Sequence, residues 1–158
     1  MTNLEQELCK YRCTKTGDEE IIKIGNIDFY IINPKYNMNN ENDNSLVIYF
    51  TINNKNILYM GDSSSVVEER IINDYKIGKI DILKVGHHGS NTSSSKVFID
   101  EIKPLNSVIS VGKNNRYEHP NKETLEILKG SKIYRTDLNG SVLFRIESNK
   151  LQIKTFTP

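Results

Sequence analysis

One stretch constrains this chain more than any other: an apolar run that ends in two adjacent histidines. In residues 81–95, DILKVGHHGSNTSSS, alternating apolar and polar residues break off at Gly86, His87 and His88 follow, and then come a glycine and a loop of small hydroxyl residues. That pattern predicts a strand that delivers imidazoles to the edge of a sheet. The chain has three histidines, and two of them are here.

The rest of the chain supplies the setting for that strand. Residues 2–12 carry Leu4, Leu8 and Tyr11 at helical spacing, which predicts a short amphipathic helix. TKTGDEE makes a turn, EIIKIG and IDFYIINP form a hairpin about Gly25 and Asn26, and Pro34 stops its second strand. After a polar, Asn-rich loop over residues 35–44, SLVIYFTI and NILYMGD read as a second and more apolar hairpin. Serines 63–65 then cap a helix through VVEERIINDY, where Val66, Val67, Arg70, Ile71 and Tyr75 recur at helical intervals.

Two further strand, loop and helix units follow. They are KIDILKVG, HHGSNTSS and SSKVFIDEIK, then NSVISVG, KNNRYEHPN and KETLEILKG, with Gly130 ending the last helix. The chain closes on strands, KIYRTD, SVLFRIE and LQIKTFTP, with turns at residues 138–140 and 148–150. Strand–helix alternation over residues 56–130 predicts an α/β layer, and the hairpins at both ends predict a mixed sheet. No linker divides the sequence, so residues 1–158 read as one domain.

A formal net charge of +1 excludes whole-chain attraction to nucleic acid or membrane, so either partner has to be read from a local patch. Cys9 and Cys13 have a spacing that on a helix stacks them on one face. With no further Cys or His nearby they read as reduced thiols rather than a zinc site. No run is long and apolar enough to span a membrane, and MTNLEQELCKYR lacks a signal-peptide core, so as it stands the chain is expected to be cytoplasmic.

In α/β sheets the loops leaving the carboxyl ends of parallel strands gather on one edge, where ligands bind. Three such loops carry Asp62, then His87 and His88, then Arg116 and His119. Carboxylate oxygen and imidazole nitrogen are the donors that zinc or manganese accepts, and such metals acidify bound water. Asp62 with one histidine of the pair could be ligands, leaving the other to hold a ligand in place or to donate to a substrate oxygen. Ser63, Ser64, Ser90, Asn91 and Thr92 suit phosphate oxygens, and Arg116 suits a bidentate anion clamp. Each feature has a plainer rival: Asp62 and its serines as a helix cap, the histidine pair as a surface accident, His119 and Pro120 as the turn that starts a helix.

Read together, NDNSLVIYF, ILYMGDSSS, IDILKVGHHGSNTSSS, SVISVGKNNRYEHPNKETLEIL and YRTDLNGSVLF resemble, from about residue 17 onward, the carboxyl-terminal metallo-β-lactamase-fold domain of ComEC-type competence proteins. The resemblance implies an αββα sandwich and a metal-dependent hydrolase with zinc or manganese, a nuclease acting on incoming DNA during uptake. It matches Asp62 to a metal-bridging aspartate and makes His87 the first choice and His88 the second for a metal histidine. It places His119 near the substrate phosphate or leaving group, so that His88 and His119 are the expected catalytic pair, and puts Ser45 in the lining of the same cleft. A place in a membrane competence protein would make the domain extracellular-facing.

The superfamily's first metal motif, HxHxDH or HxDxDH, has no match in these residues, and all three histidines are already assigned. The expected fold is therefore an incomplete αββα sandwich with mixed sheets. Three functions follow from that: a hydrolase piece needing a complementary segment, a catalytically inactive remnant that binds nucleic acid or a protein partner, and a structural subunit that associates through an uncovered apolar edge.

Overall fold

The computed structural model describes residues 13–16, 19–33 and 40–157. Among the described residues ten strands form two sheets. The larger is mixed and runs in chain order: β1 (Cys13–Thr16), β2 (Glu19–Ile24), β3 (Ile27–Ile31), β4 (Ile48–Ile52), β5 (Lys55–Tyr59), β6 (Ile82–Lys84), β7 (Asn106–Ile109) and β8 (Lys132–Arg135). Neighbours from β1 to β5 are antiparallel and those from β5 to β8 parallel. The α/β class and the mixed sheet read from the sequence are thus the architecture observed. β9 (Ser141–Glu147) and β10 (Lys150–Phe156) pair separately as an antiparallel hairpin.

The parallel half needs crossovers, and three helical segments supply them. α1 (Ser65–Asp74) begins where the Ser64 hydroxyl accepts from the Val66 amide, α2 (Lys96–Ile102) where Ser95 accepts from Phe98, and α3 (Lys122–Ile127) where the Asn121 side chain accepts from Glu123. The third helix starts at Lys122 and not at Pro120, because Asn121 takes the capping position between them. The tight turns are also where small polar residues placed them. Asn53 and Asn54 adopt φ of 46° and 59°, and Ser148 and Asn149 adopt 47° and 65°, the left-handed pair a two-residue hairpin requires.

Strand alternation sorts side chains onto two faces. Leu58, Met60, Leu83, Val85 and Ile109 pack with Val67, Ile71, Phe98, Ile102 and Leu128 from the helices and the segment after α3, and this layer is the main core. The other face carries Phe29, Phe50 and Tyr59, with ring centroids 4.6 Å and 6.0 Å apart in succession, and Tyr134, which meets Phe144 of the β9–β10 hairpin edge-on at 6.0 Å. Hairpin and helices therefore lie on opposite sides of the large sheet.

Two readings from the sequence come out differently. Cys13 opens a strand rather than standing on a helix face. The helix over residues 2–12, Cys9 and Pro34 lie outside the described residues. The turn at residues 138–140 is a single helical turn, α4 (Thr136–Asn139), closed by Gly140 at φ 65°. Its Thr136 hydroxyl accepts from the Val111 amide at 2.7 Å and donates to the Val111 carbonyl at 2.8 Å, tying the end of β8 to the segment leaving β7.

On α1 the buried residues are Val67, Glu68 and Ile71, whereas Val66 is exposed. Glu68 is 1% exposed, and its carboxylate accepts from the amides of Ser94 and, at 2.8 Å, Ser95. A charge in the core is thereby clamped to the start of α2, which fixes the end of the histidine loop. Burial raises the Glu68 carboxyl above its ordinary 4.5, against the two amides, which lower it. The folded protein thus holds that proton more tightly than the unfolded chain, and stability falls as pH rises from 4.5 through the raised value. Glu68→Gln turns an N–H toward one of two N–H donors and is expected to cost about 1–3 kcal/mol. Urea unfolding across pH should show that gap narrowing as pH rises through the same window, because only the wild type titrates there.

Candidate functional site

The parallel strands β5, β6 and β7 release their chains at one edge, and backbone hydrogen bonds stitch the emerging loops together. The His87 amide donates to the Gly61 carbonyl at 3.1 Å, and the Asn121 amide to the Gly89 carbonyl at 2.8 Å. Two glycines make this approach possible. At Gly61, φ +59°, a Cβ would stand 2.7 Å from Cβ of Ser45; at Gly89, φ +79°, it would stand 2.6 Å from Cβ of Pro120. Asp62, His87, His88 and His119 are drawn onto one edge as a result.

His87 and His88 both sit in left-handed backbone, φ 44° and 55°. Consecutive non-glycine residues there cost about 1–3 kcal/mol each, and such residues cluster where function demands a set geometry. What that backbone achieves at His88 is clear from its partners. Nδ1 lies 2.6 Å from the Ser110 carbonyl oxygen, which can only accept, so Nδ1 carries a proton and, in the neutral ring, the lone pair is on Nε2. Nε2 stands 3.7 Å from Asp62 Oδ1, too far for a hydrogen bond. A lone pair and a carboxylate oxygen face each other at the separation of two donors on one cation, whose bonds to N and O are each about 2.0–2.2 Å. The Asp62 amide is fixed in turn by donating to Ser45 Oγ at 3.0 Å.

His87 is turned elsewhere. Its Nδ1 lies 3.1 Å from Thr92 Oγ1, and its Nε2 makes a long 3.5 Å contact with the Asn42 side-chain amide. The His119 ring meets it edge-on at 5.8 Å and stacks on Tyr117 at the same distance. Asn115 staples this last loop, accepting from the His119 amide at 2.9 Å and donating to the His119 carbonyl at 2.7 Å. Desolvation, with smaller contributions from His87 and His88, holds His119 below its ordinary 6.5. Arg116 is exposed, with its guanidinium 4.6 Å over the Tyr117 ring and bonded to the Tyr117 hydroxyl.

The hydroxyl residues divide. Ser63 is fully buried and donates to the Met60 carbonyl at 2.6 Å, and Ser64 caps α1. Ser90 is also buried and meets Thr92 Oγ1 at 3.1 Å. Asn91 and Thr92 are exposed on the edge. Asp62 and His88 are half-exposed, at 46% and 49%, so the site is an open edge rather than a pocket. A groove of about 880 Å³ lies elsewhere, among Lys96, Lys103, Leu105 and Lys129, and no histidine lines it.

Several contributors were not singled out in the sequence. The loop before β4 brings Asn42 to His87 and buries Asp43, whose Oδ1 accepts from the Ser64 amide at 2.8 Å; the signal was NDN placed just ahead of SLVIYF. Lys84 ends β6, three residues before His87, with the Asp62 carboxylate acting on its charge; the signal was a lysine inside the apolar run ILKV. Asn115 and Tyr117 had no signal beyond membership of a polar loop.

With this geometry in view, the comparisons with known proteins are specific. No family model matches the chain. It is 32% identical over 147 residues to ComE operon protein 3 of Bacillus subtilis, a match covering 91% of this chain and 19% of that protein. It is 35% identical over 123 residues to competence protein ComA of Neisseria gonorrhoeae, covering 75% and 18%, and 32% identical over 116 residues to recombination protein 2 of Haemophilus influenzae, covering 72% and 14%. The chain is related to a segment of each. That relationship supports a ComEC-type competence protein. The chain spans less than a fifth of the length of these relatives. Among the described residues no helix is long and apolar enough to cross a membrane.

Two measurements test the site. His88→Val puts a β-branched residue into left-handed backbone and His88→Asn a tolerant one, so in denaturant unfolding Val should be less stable than Asn by about 1–2 kcal/mol. In an NMR titration His119 should lose its proton below pH 6.5, and His87→Gln, by removing one repelling charge, should move that midpoint upward.

Proposed function

We propose that this chain is the carboxyl-terminal part of a metallo-β-lactamase-type hydrolase domain in a DNA-uptake protein, that its substrate is a phosphodiester, and that Asp62 and His88 contribute two ligands to a divalent metal, zinc or manganese. The observation that carries the reading is the lone pair of His88 Nε2 facing Asp62 Oδ1 at 3.7 Å, with Nδ1 pinned to a backbone carbonyl. That is the second-sphere arrangement typical of ligating histidines. The curated relatives, named for competence and recombination, support DNA as the substrate class.

The donor set fits half of such a centre. Among the described residues no third His, Cys, Asp or Glu joins a cluster with these two. A segment outside these residues has to supply the remaining ligands, in keeping with the unmatched HxHxDH-type motif. A metal held there supplies Lewis acidity and an acidified water. The chain's own residues do the rest: Ser45 holds the Asp62 backbone, Thr92 holds the His87 ring, and His119, neutral above its lowered value, stands beside them as a proton acceptor at the substrate's edge.

The open, half-exposed edge favours a second reading, an inactive remnant that binds nucleic acid or a protein partner. Calorimetric titration with Mn²⁺ or Zn²⁺ separates the two. The hydrolase piece is expected to bind weakly and at one ion or fewer, to lose that binding in His88→Ala, and to bind tightly and cleave DNA once a segment bearing an HxHxDH motif is added. Tight two-metal binding by the chain alone would sink the split site, and DNA affinity that survives chelator without cleavage after complementation would favour the remnant.

A further inference from the structure

Lys84 stands where a lysine is least expected. β6 is paired in parallel on both sides, with Lys84 in register between Tyr59 of β5 and Val108 of β7. A strand in that position is ordinarily apolar along its length, and its neighbours Ile82 and Leu83 are buried. Placing an ammonium there costs desolvation that a hydrophobe would avoid.

Its position gives the cost a use. Alternation turns Lys84 to the face opposite the helices, the face of Tyr59 and Phe50. It is the last residue of the strand that delivers His87 and His88, beside the strand that leads through Met60 into Gly61 and Asp62. Nζ donates to the Val85 carbonyl at 2.9 Å, which anchors the side chain toward the carboxyl end of the sheet. An ammonium has three donors, and among the described residues this is the one bond it makes. Burial draws the Lys84 charge down while the Asp62 carboxylate holds it up, so the field of one reaches the other. Lys84 does not bond Asp62, whose Oδ1 is left facing His88.

We infer that Lys84 is a resident cation of this edge: its remaining N–H donors bind an anionic oxygen of a phosphodiester beside the Asp62–His88 pair, where a second metal ion would otherwise supply the positive charge. The substrate class rests on the proposed function; the charge and its placement do not. A fixed ammonium has two opposite consequences. It strengthens binding of an anion and weakens binding of a divalent cation to the neighbouring donors, because like charges repel.

The test uses the 158-residue chain with Lys84→Met, which keeps the length of the side chain and removes its charge, and Lys84→Arg, which restores charge. In chelator, binding of the dinucleotide pTpT followed by NMR should weaken about tenfold or more in Lys84→Met and recover most of the loss in Lys84→Arg. In a separate Mn²⁺ titration, Lys84→Met should bind the ion about fivefold more tightly than wild type. A lysine that is only structural would leave both affinities unchanged or weaken both, and either result overturns the inference, as does a wild type that binds no pTpT. If Lys84→Met does not fold, judged by far-ultraviolet circular dichroism, Lys84→Gln takes its place. Absence of Mn²⁺ binding in every variant would count against the proposed metal site while the pTpT arm still decides the role of Lys84.

Discussion

The hydrogen bond from His88 Nδ1 to the Ser110 carbonyl is the interaction on which the edge depends. It spans the ends of two neighbouring parallel strands, so it exists only if β6 and β7 are in register, and it decides which nitrogen of His88 is left with a lone pair. The left-handed backbone at His87 and His88 makes it reachable. An extended chain would carry successive side chains to opposite faces; two left-handed residues reverse its direction within a few ångströms and leave both rings on the edge. The strain is confined to the residues whose placement matters, and the parallel strands on either side are rigid enough to sustain it.

Buried and half-buried polar groups do the holding. Glu68 clamps the amides of Ser94 and Ser95, Asp43 takes the amide of Ser64, the Asn33 side chain donates to the carbonyls of Asp43 and Ser45, and Thr136 closes on both backbone groups of Val111. Each is a side chain satisfying loop backbone that a sheet ladder cannot reach, which is the general condition for burying a loop at all. The consequence for function is that each loop of the edge is tied to a different element of the core. Ser63 illustrates the division of labour: it sits next to Asp62, yet its hydroxyl serves the Met60 carbonyl, and the neighbouring acid alone reaches the surface.

This division also explains what could be read from the sequence. The strands after β1, the three capped helices and the Asn-rich turns were legible because their signals are local: period, cap residue, left-handed turn residue. The convergence of Asp62, His87, His88 and His119 was legible because strand–helix alternation fixes which loops share an edge. The choice between His87 and His88 as the partner facing Asp62 was not, since it turns on two φ angles and a carbonyl twenty-two residues away. Nor was the role of Glu68, because an acid among apolar residues of an amphipathic helix reads as belonging to the solvent side until the amides of another helix are placed against it.

The electrostatics of the edge follow from these placements. With the His88 ring neutral, two acceptors, Asp62 Oδ1 and His88 Nε2, face one another, which is unfavourable unless positive charge arrives. The Lys84 charge and the Asp62 carboxylate act on each other, but the Lys84 ammonium bonds the Val85 carbonyl and not the carboxylate. His119 adds none while it is neutral, and its lowered affinity for a proton keeps it so near neutral pH. The edge is therefore left short of one positive charge at a point bounded by two donors. In the proposed function a divalent cation with ligands of its own from another segment would meet that need, and a phosphate oxygen placed between such a cation and the Lys84 ammonium would be held by opposite charge on two sides.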